Sequence, residues 1–153
     1  MDLLTIMKSR KSIRRFADAP IPQEQLDMLM QAAALAPTSR NRRPCRFFLI
    51  TERSQLAALS RAKQAGAAFT EQAGAAIVAA ADSSVSDTWI EDSSIAMTYI
   101  MLEAEALGLG CCWVQMRLRE DAEGHSAEEN VRALLDLPEQ FRVVGFLALG
   151  LRT

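Results

Sequence analysis

The stretch SRKSIRRFADAPI, residues 9 to 21, crowds Arg10, Lys11, Arg14 and Arg15 around Ser12 and then meets an aromatic at Phe16. In an extended segment side chains alternate, so Arg10, Ser12 and Arg14 fall on one side and Lys11 and Ile13 on the other. Guanidinium forks beside a hydroxyl are a donor set for a phosphate monoester, because the forks bind two oxygens each and the hydroxyl reaches a further one. The same residues also make a solvated basic patch after a helix, and charge alone does not separate the two. A second stretch, APTSRNRRPCRF at 36 to 47, fixes a loop between Pro37 and Pro44 and arms it with Thr38, Ser39 and Asn41. These short donor and acceptor side chains suit the carbonyls and nitrogens of a ring or a polyol chain, and equally an ordinary helix exit. A third, LGLGCCWVQ, brings Gly108 and Gly110 to a helix-to-strand turn. Strand alternation sends the thiols of Cys111 and Cys112 to opposite faces, which favours packing over a redox pair.

The charge is unevenly spread. Residues 1 to 46 hold nine basic and four acidic side chains, and the remainder holds eight basic and fifteen acidic ones, within a chain of net charge −2. Such a field suits a small polyanion or a nucleic acid. Against nucleic acid, the basic clusters lack interleaved aromatics and the chain is acidic as a whole. The two clusters, around 8–15 and 40–46, flank a long apolar helix that could bring them together.

A length of 153 residues fits one domain spanning 1–153 with a short C-terminus. No run approaches the roughly 18 apolar residues that cross a bilayer, and the charged first 15 residues read as no secretory signal. Three cysteines make a poor disulfide framework and point to a reduced, cytoplasmic protein. One histidine, His125, leaves no zinc-ligand pattern and no Ser/His/Asp set, and no dinucleotide or P-loop fingerprint is present.

The elements that must position these motifs follow from periodicity. Asp2 caps a first helix with Leu4, Ile6 and Met7 on its apolar side. IPQEQLDMLMQAAALAP is a helix ended by Pro37, CRFFLIT a buried strand, RSQLAALSRAK a helix and GAAIVAAAD a second strand. IEDSSIAMTYIMLEAEALGLG is a long helix capped at Asp92 or Ser93 and stopped by Gly108. It is apolar around most of its circumference, which predicts a central position. CCWVQM is a third strand, SAEENVRALLDLPE a helix with a Ser126–Glu129 capping box, and RVVGFLALG a fourth strand. RLREDAEGH is a polar loop. Helices and strands alternate, so an α/β or α+β sandwich with a sheet of at least four strands is expected.

Taken together and in order, the three stretches resemble the nitroreductase family of FMN-dependent oxidoreductases. Arg10, Ser12, Arg14 and Phe16 match its opening Arg-x-Ser-x-Arg/Lys-x-Phe/Tyr signature. Ala36, Pro37, Thr38, Ser39, Asn41, Pro44 and Phe47 match the second, and Gly108 to Gly110 match the Gly-Leu-Gly turn. The resemblance implies an α+β fold with a mainly antiparallel sheet flanked by helices, and a homodimer holding FMN at its interface beside a long central helix. It implies that Arg10 and Ser12 hold the phosphate, with Lys11 contributing its backbone and Arg14 near the flavin N1/O2 edge. Pro37, Thr38, Ser39 and Asn41 would serve from their loop, Thr38 and Ser39 reaching the partner's flavin. Val114 and Gln115 would pass close to the isoalloxazine ring, Gln115 and Met116 standing where the family often has glycine. Arg152, in LALGLRT, would replace the basic segment that usually follows the last strand. The implied activity moves hydride from NAD(P)H through the flavin to a small stacked acceptor such as a nitroaromatic or quinone. A flavin storage or sensor protein is the alternative. Neither a catalytic side chain nor a metal is required, and neither nucleic acid nor membrane is an expected partner.

Overall fold

Alanine-rich strands pack helices closely, and a computed structural model describing residues 1–153 is organised around one such strand. The elements are α1 (Leu3–Ser9), α2 (Gln23–Leu35), β1 (Cys45–Ile50), α3 (Arg53–Ser60), β2 (Ala75–Asp82), α4 (Trp89–Ala106), β3 (Leu109–Gln115), α5 (Ala127–Leu134) and β4 (Phe141–Leu151). The sheet runs in the order β1-β2-β4-β3, and every pairing is antiparallel. The α+β fold with an antiparallel sheet flanked by helices is thus observed. No helix is long and apolar enough to cross a membrane.

Alternation along β2 divides the core. Ala75, Ile77 and Ala79 join Leu26, Leu29, Met97, Ile100 and Ala104 on the α2/α4 face. Ala76, Val78 and Ala80 join Leu56, Leu59, Val131 and Phe146 on the α3/α5 face. Asp2 caps α1 through its carboxylate, which accepts from Thr5 N at 2.8 Å. Ser126 caps α5 by accepting from Glu129 N at 3.3 Å, while the Glu129 side chain turns to Arg132 at 3.7 Å.

Three expectations change. CRFFLIT is the edge strand β1 rather than a buried one. Only β2 pairs with it, and Arg46 is exposed, its guanidinium 4.7 Å from the Phe141 ring centroid. The long helix begins at Trp89, with Thr88 at its N-cap, so Asp92 lies inside the helix and is buried. One flank of α4 is surface in a single chain, with Ile95 39% and Tyr99 40% exposed, so the helix is central on one side only.

Two glycine positions decide how the N-terminal segment docks. Gly110 of β3 and Gly150 of β4 are register partners. A Cβ at Gly110 would stand 2.8 Å from Ile13 Cγ2, and one at Gly150 would stand 2.6 Å from Phe16 Cγ. The missing side chains are the seats for Ile13 and Phe16. Filling one should force a shift in a buried ring. Gly150→Ala is expected to destabilise by about 1–3 kcal/mol, the usual cost of overpacking, read from the urea midpoint. Phe16→Leu in the same background should recover part of that loss. Additive losses would mean the ring does not fill the notch.

Candidate functional site

Segment 10–17 leaves α1 at Arg10 in an extended conformation (φ −61, ψ 131) and lies across the end of the sheet. Ile13 N donates to Cys111 O at 3.0 Å and Ala17 N to Leu151 O at 2.8 Å. Ile13 and Phe16 both turn onto the glycine notch, so the strict alternation expected of this segment ends at Arg14. Lys11, Ser12, Arg14 and Arg15 are exposed and Arg10 is half-buried. The arginine ion pairs of the chain use Arg42, Arg132, Arg142 and Arg152. The four cations of the segment therefore stand together without a carboxylate, and Ser12 has no internal hydrogen-bond partner.

At the C-terminal end of α4 a nearly buried carboxylate gathers the groups around this segment. Glu105, 9% exposed, accepts from Ser9 Oγ at 2.9 Å through Oε1 and binds Arg152 Nη2 through Oε2. Arg152 Nε also donates to Leu109 O at 3.3 Å. Arg152 thus shares Glu105 with Ser9, the residue before the basic motif, and its charge is already partnered. Burial pushes the Cys111 thiol up to about 12, with Cys112 and Glu105 raising it further and Arg10 opposing. Arg10 therefore lies within electrostatic reach of the same corner. Cys111 packs on the α2/α4 face, and all three cysteines are free thiols.

The second motif is built differently. Ser39–Asn41 form a single 3-10 turn, and Arg40, Asn41 and Arg43 adopt left-handed φ values of 53, 54 and 50. Asn tolerates that region, and two arginines there hold strain that surrounding contacts must maintain. Thr38 Oγ1 accepts from Arg43 N at 3.0 Å, and Arg43 Nη1 donates to Ala34 O at 2.9 Å. Ser39 N donates to Asp92 Oδ1 at 3.1 Å. Asp92 Oδ2 accepts from Ser86 Oγ at 3.0 Å and Thr88 Oγ1 at 3.2 Å. The outward groups of the loop, Pro37, the Ser39 hydroxyl and the Asn41 amide, face solvent.

The two motifs are not brought together. One is tied to Asp92 and the other to Glu105, thirteen residues apart on α4, which at 1.5 Å per residue is about 20 Å. Within one chain the two motifs are thus anchored toward opposite ends of α4.

Val114 is 1% exposed, its side chain packed in the α3/α5 core, so only its backbone can face a ligand. Gln115 is held locally: its Oε1 accepts from Trp113 Nε1 at 2.9 Å and its Nε2 donates to Arg117 O at 3.1 Å. A β-bulge at Val144 ends the strand here, the Val144 carbonyl accepting from both Met116 N (2.9 Å) and Arg117 N (3.0 Å). The sequence marks Asp92 only as a helix cap and gives Glu105 no role. The available signal was a pair of acids on the inward side of an otherwise apolar helix.

Comparison with known proteins places these features. The profile of the Nitroreductase family matches residues 7–89 and 55–151. A Methanothermobacter thermautotrophicus protein described as a candidate NADH dehydrogenase/NAD(P)H nitroreductase is 33% identical, over 98% of this chain and 77% of its own length. The solved FMN-dependent nitroreductase of Clostridium difficile superposes with a TM-score of 0.95 at 37% identity, over 97% of this chain and 87% of that one. A structure from Parabacteroides distasonis, described like the archaeal protein, gives 0.90 at 30%, over 99% and 87%.

The corner at Glu105 yields a pH prediction. The folded Cys111 thiol titrates near 12 against an ordinary 9.0, so the folded chain keeps a proton that the unfolded chain releases. Its contribution to stability is complete below about pH 9 and is lost as pH rises toward about 12. Urea midpoints should fall over that window less steeply in Cys111→Ala than in the parent. Alkylation by iodoacetamide at pH 8 should spare Cys111 in the folded protein, read by peptide mass spectrometry.

Proposed function

The chain belongs to the nitroreductase family, and on that premise we propose that it is an FMN-dependent oxidoreductase of the cytoplasm. It would draw hydride from NAD(P)H and pass it to a small stacked acceptor such as a nitroaromatic or quinone. The observation that carries this reading is the uncompensated donor set of segment 10–14, locked onto the sheet by Ile13 and Phe16. Holding several cations together without a counter-charge is unfavourable, and a bound phosphate would relieve it. The names of the C. difficile and archaeal relatives support the cofactor and the donor.

The residues present fit the cofactor. Arg10 and Ser12 would bind its phosphate, with Lys11 N–H beside them and Arg152 as a further donor whose charge is shared with Glu105. Arg14, next along the same segment, would face the N1/O2 edge of the ring. When bound, FMN supplies the redox chemistry, with hydride entering and leaving at N5. The protein's share is to bind, orient and bias charge. Val114 contributes backbone only. Gln115, tied to Trp113 and Arg117, would form a fixed wall beside the ring in place of a glycine.

The same reading makes the active form a homodimer. Arg10 and Ser39 hang from anchors about 20 Å apart on α4, an arrangement in which two copies can each lend a motif to the other. The exposed Ile95 and Tyr99 on α4 supply an apolar face for that contact. Sedimentation at micromolar concentration should give a dimer with FMN bound.

Two measurements test the cofactor assignment. FMN should bind more tightly than riboflavin, and Arg10→Ala should weaken FMN by about 1.5–3 kcal/mol, the worth of a hydrogen bond to a charged group. Riboflavin affinity should change little, and equal affinity of the parent for both would overturn the assignment. Bleaching of the bound flavin by NADH or NADPH separates an enzyme from a storage protein. At Arg14, a fixed charge worth about 1–4 kcal/mol corresponds to roughly 20–90 mV for a two-electron couple. Arg14→Gln should lower the midpoint potential by that amount, and Arg14→Lys by much less.

A further inference from the structure

Asp92 is 2% exposed, and its carboxylate accepts from three donors, one of them from outside its own helix and the turn before it. That donor is Ser39 N, at 3.1 Å, in the loop whose Arg40, Asn41 and Arg43 occupy the left-handed region. The other two donors, Ser86 Oγ and Thr88 Oγ1, belong to the turn before α4. Their oxygens lie 3.0 Å apart, and Thr88 N donates to Ser86 Oγ at 3.2 Å. Oδ2 is thereby held by the two hydroxyls, and Oδ1 is left aimed at the loop. A buried carboxylate in the first turn of a helix is also favoured by the helix dipole. The arrangement anchors the Ser39 backbone against the strain of the residues that follow it.

We propose that Asp92 is a positioning residue for the flavin site of the partner subunit rather than for that of its own chain. The assignment rests on the reading given above, in which Ser39 serves the partner's flavin. Asp92 acts through the Ser39 N–H: it fixes the height and direction of the loop, so that the Ser39 hydroxyl and Asn41 amide are presented outward. Glu105 belongs to the opposite class, because it organises Ser9 and Arg152 beside Arg10 at the far end of the same helix.

Heterodimers purified through two different tags decide this, with FMN stoichiometry and Kd read by flavin fluorescence quenching. The Arg10→Ala/Ser39→Ala heterodimer is the control. It should bind one FMN per dimer with parent affinity, while each homodimer binds about tenfold more weakly or worse. Failure of that control overturns the shared-site reading, and the assignment of Asp92 with it. With the control restored, Arg10→Ala/Asp92→Ala should likewise recover one site, and Ser39→Ala/Asp92→Ala should recover none. Recovery in the second pair, or in neither, overturns the assignment alone. Asp92→Asn keeps an oxygen for Ser39 N and should bind FMN within a few-fold of the parent.

Should Asp92→Ala chains fail to dimerise, Ser39→Pro tests the contact between Asp92 and Ser39 N with Asp92 intact. Thr38, at φ −132 and ψ 157, already has the extended conformation that a following proline requires, and proline removes the N–H that donates to Asp92 in addition to the hydroxyl that Ser39→Ala removes. Ser39→Pro should weaken FMN about tenfold beyond Ser39→Ala. Equal affinities would overturn the role.

Discussion

Two absent side chains let the rest of this structure take its form. Gly110 and Gly150 oppose one another on β3 and β4, and the space they leave is filled by Ile13 and Phe16. Buried Phe16 is the apolar half of the motif whose polar half is Arg10, Ser12 and Arg14. Burial of the aromatic offsets the unfavourable concentration of like charge on the neighbouring residues. Backbone bonds from Ile13 to Cys111 and from Ala17 to Leu151 then hold the segment along the sheet. Without the notch, a run of exposed cations would have little reason to occupy one conformation.

Helix α4 has a second organising role, set by its length. It carries a buried carboxylate near each end, and each one reaches out to a different segment. Asp92 holds the strained loop at Ser39, and Glu105 holds Ser9 and Arg152. Burying a carboxylate is costly unless its oxygens are bonded. These two meet the requirement by different means, Asp92 with neutral donors and Glu105 with an arginine and a serine. Both elements bearing candidate ligands are thus tied to a single rigid helix at a fixed separation. That separation keeps the two motifs at opposite ends of one helix, whose outward flank carries the exposed Ile95 and Tyr99.

Strain and charge are distributed unequally between the halves. The basic segment is conformationally ordinary and electrostatically uncompensated, which suits a site for a phosphate. The loop at 38–43 has its backbone in an unfavourable region, and its hydrogen bonds are directed inward through Thr38 and Ser39 N. Its Ser39 hydroxyl and Asn41 amide are short and neutral, fitted to meet ring heteroatoms, and Arg40 adds an exposed charge beside them. The bulge at Val144 adds a third fixed feature by ending β3 at Gln115 and directing Met116 and Arg117 out of the sheet.

Element identities, the two motifs and the family resemblance were legible in the sequence because each depends on local spacing. Helical periodicity, the Asp2 and Ser126 caps and the Gly108 stop act within a few residues. The basic, hydroxyl and amide side chains of 10–14 and 38–41 are chemistry that a list of residues already displays. Gly110 looked like a turn residue, and only the register that pairs it with Gly150 revealed a seat for an aromatic ring. Asp92 read as a helix cap and Arg46 as part of a buried strand, since neither the start of α4 nor the edge position of β1 is encoded nearby. Asp92 and Glu105 gained their roles from partners 53 and 96 residues distant, a separation at which sequence pattern carries no signal. The motifs were therefore determined by the sequence alone, and their division between two ends of one helix was decided by tertiary packing, because hydrogen bonds between distant residues exist only once the chain has brought them within about 3 Å.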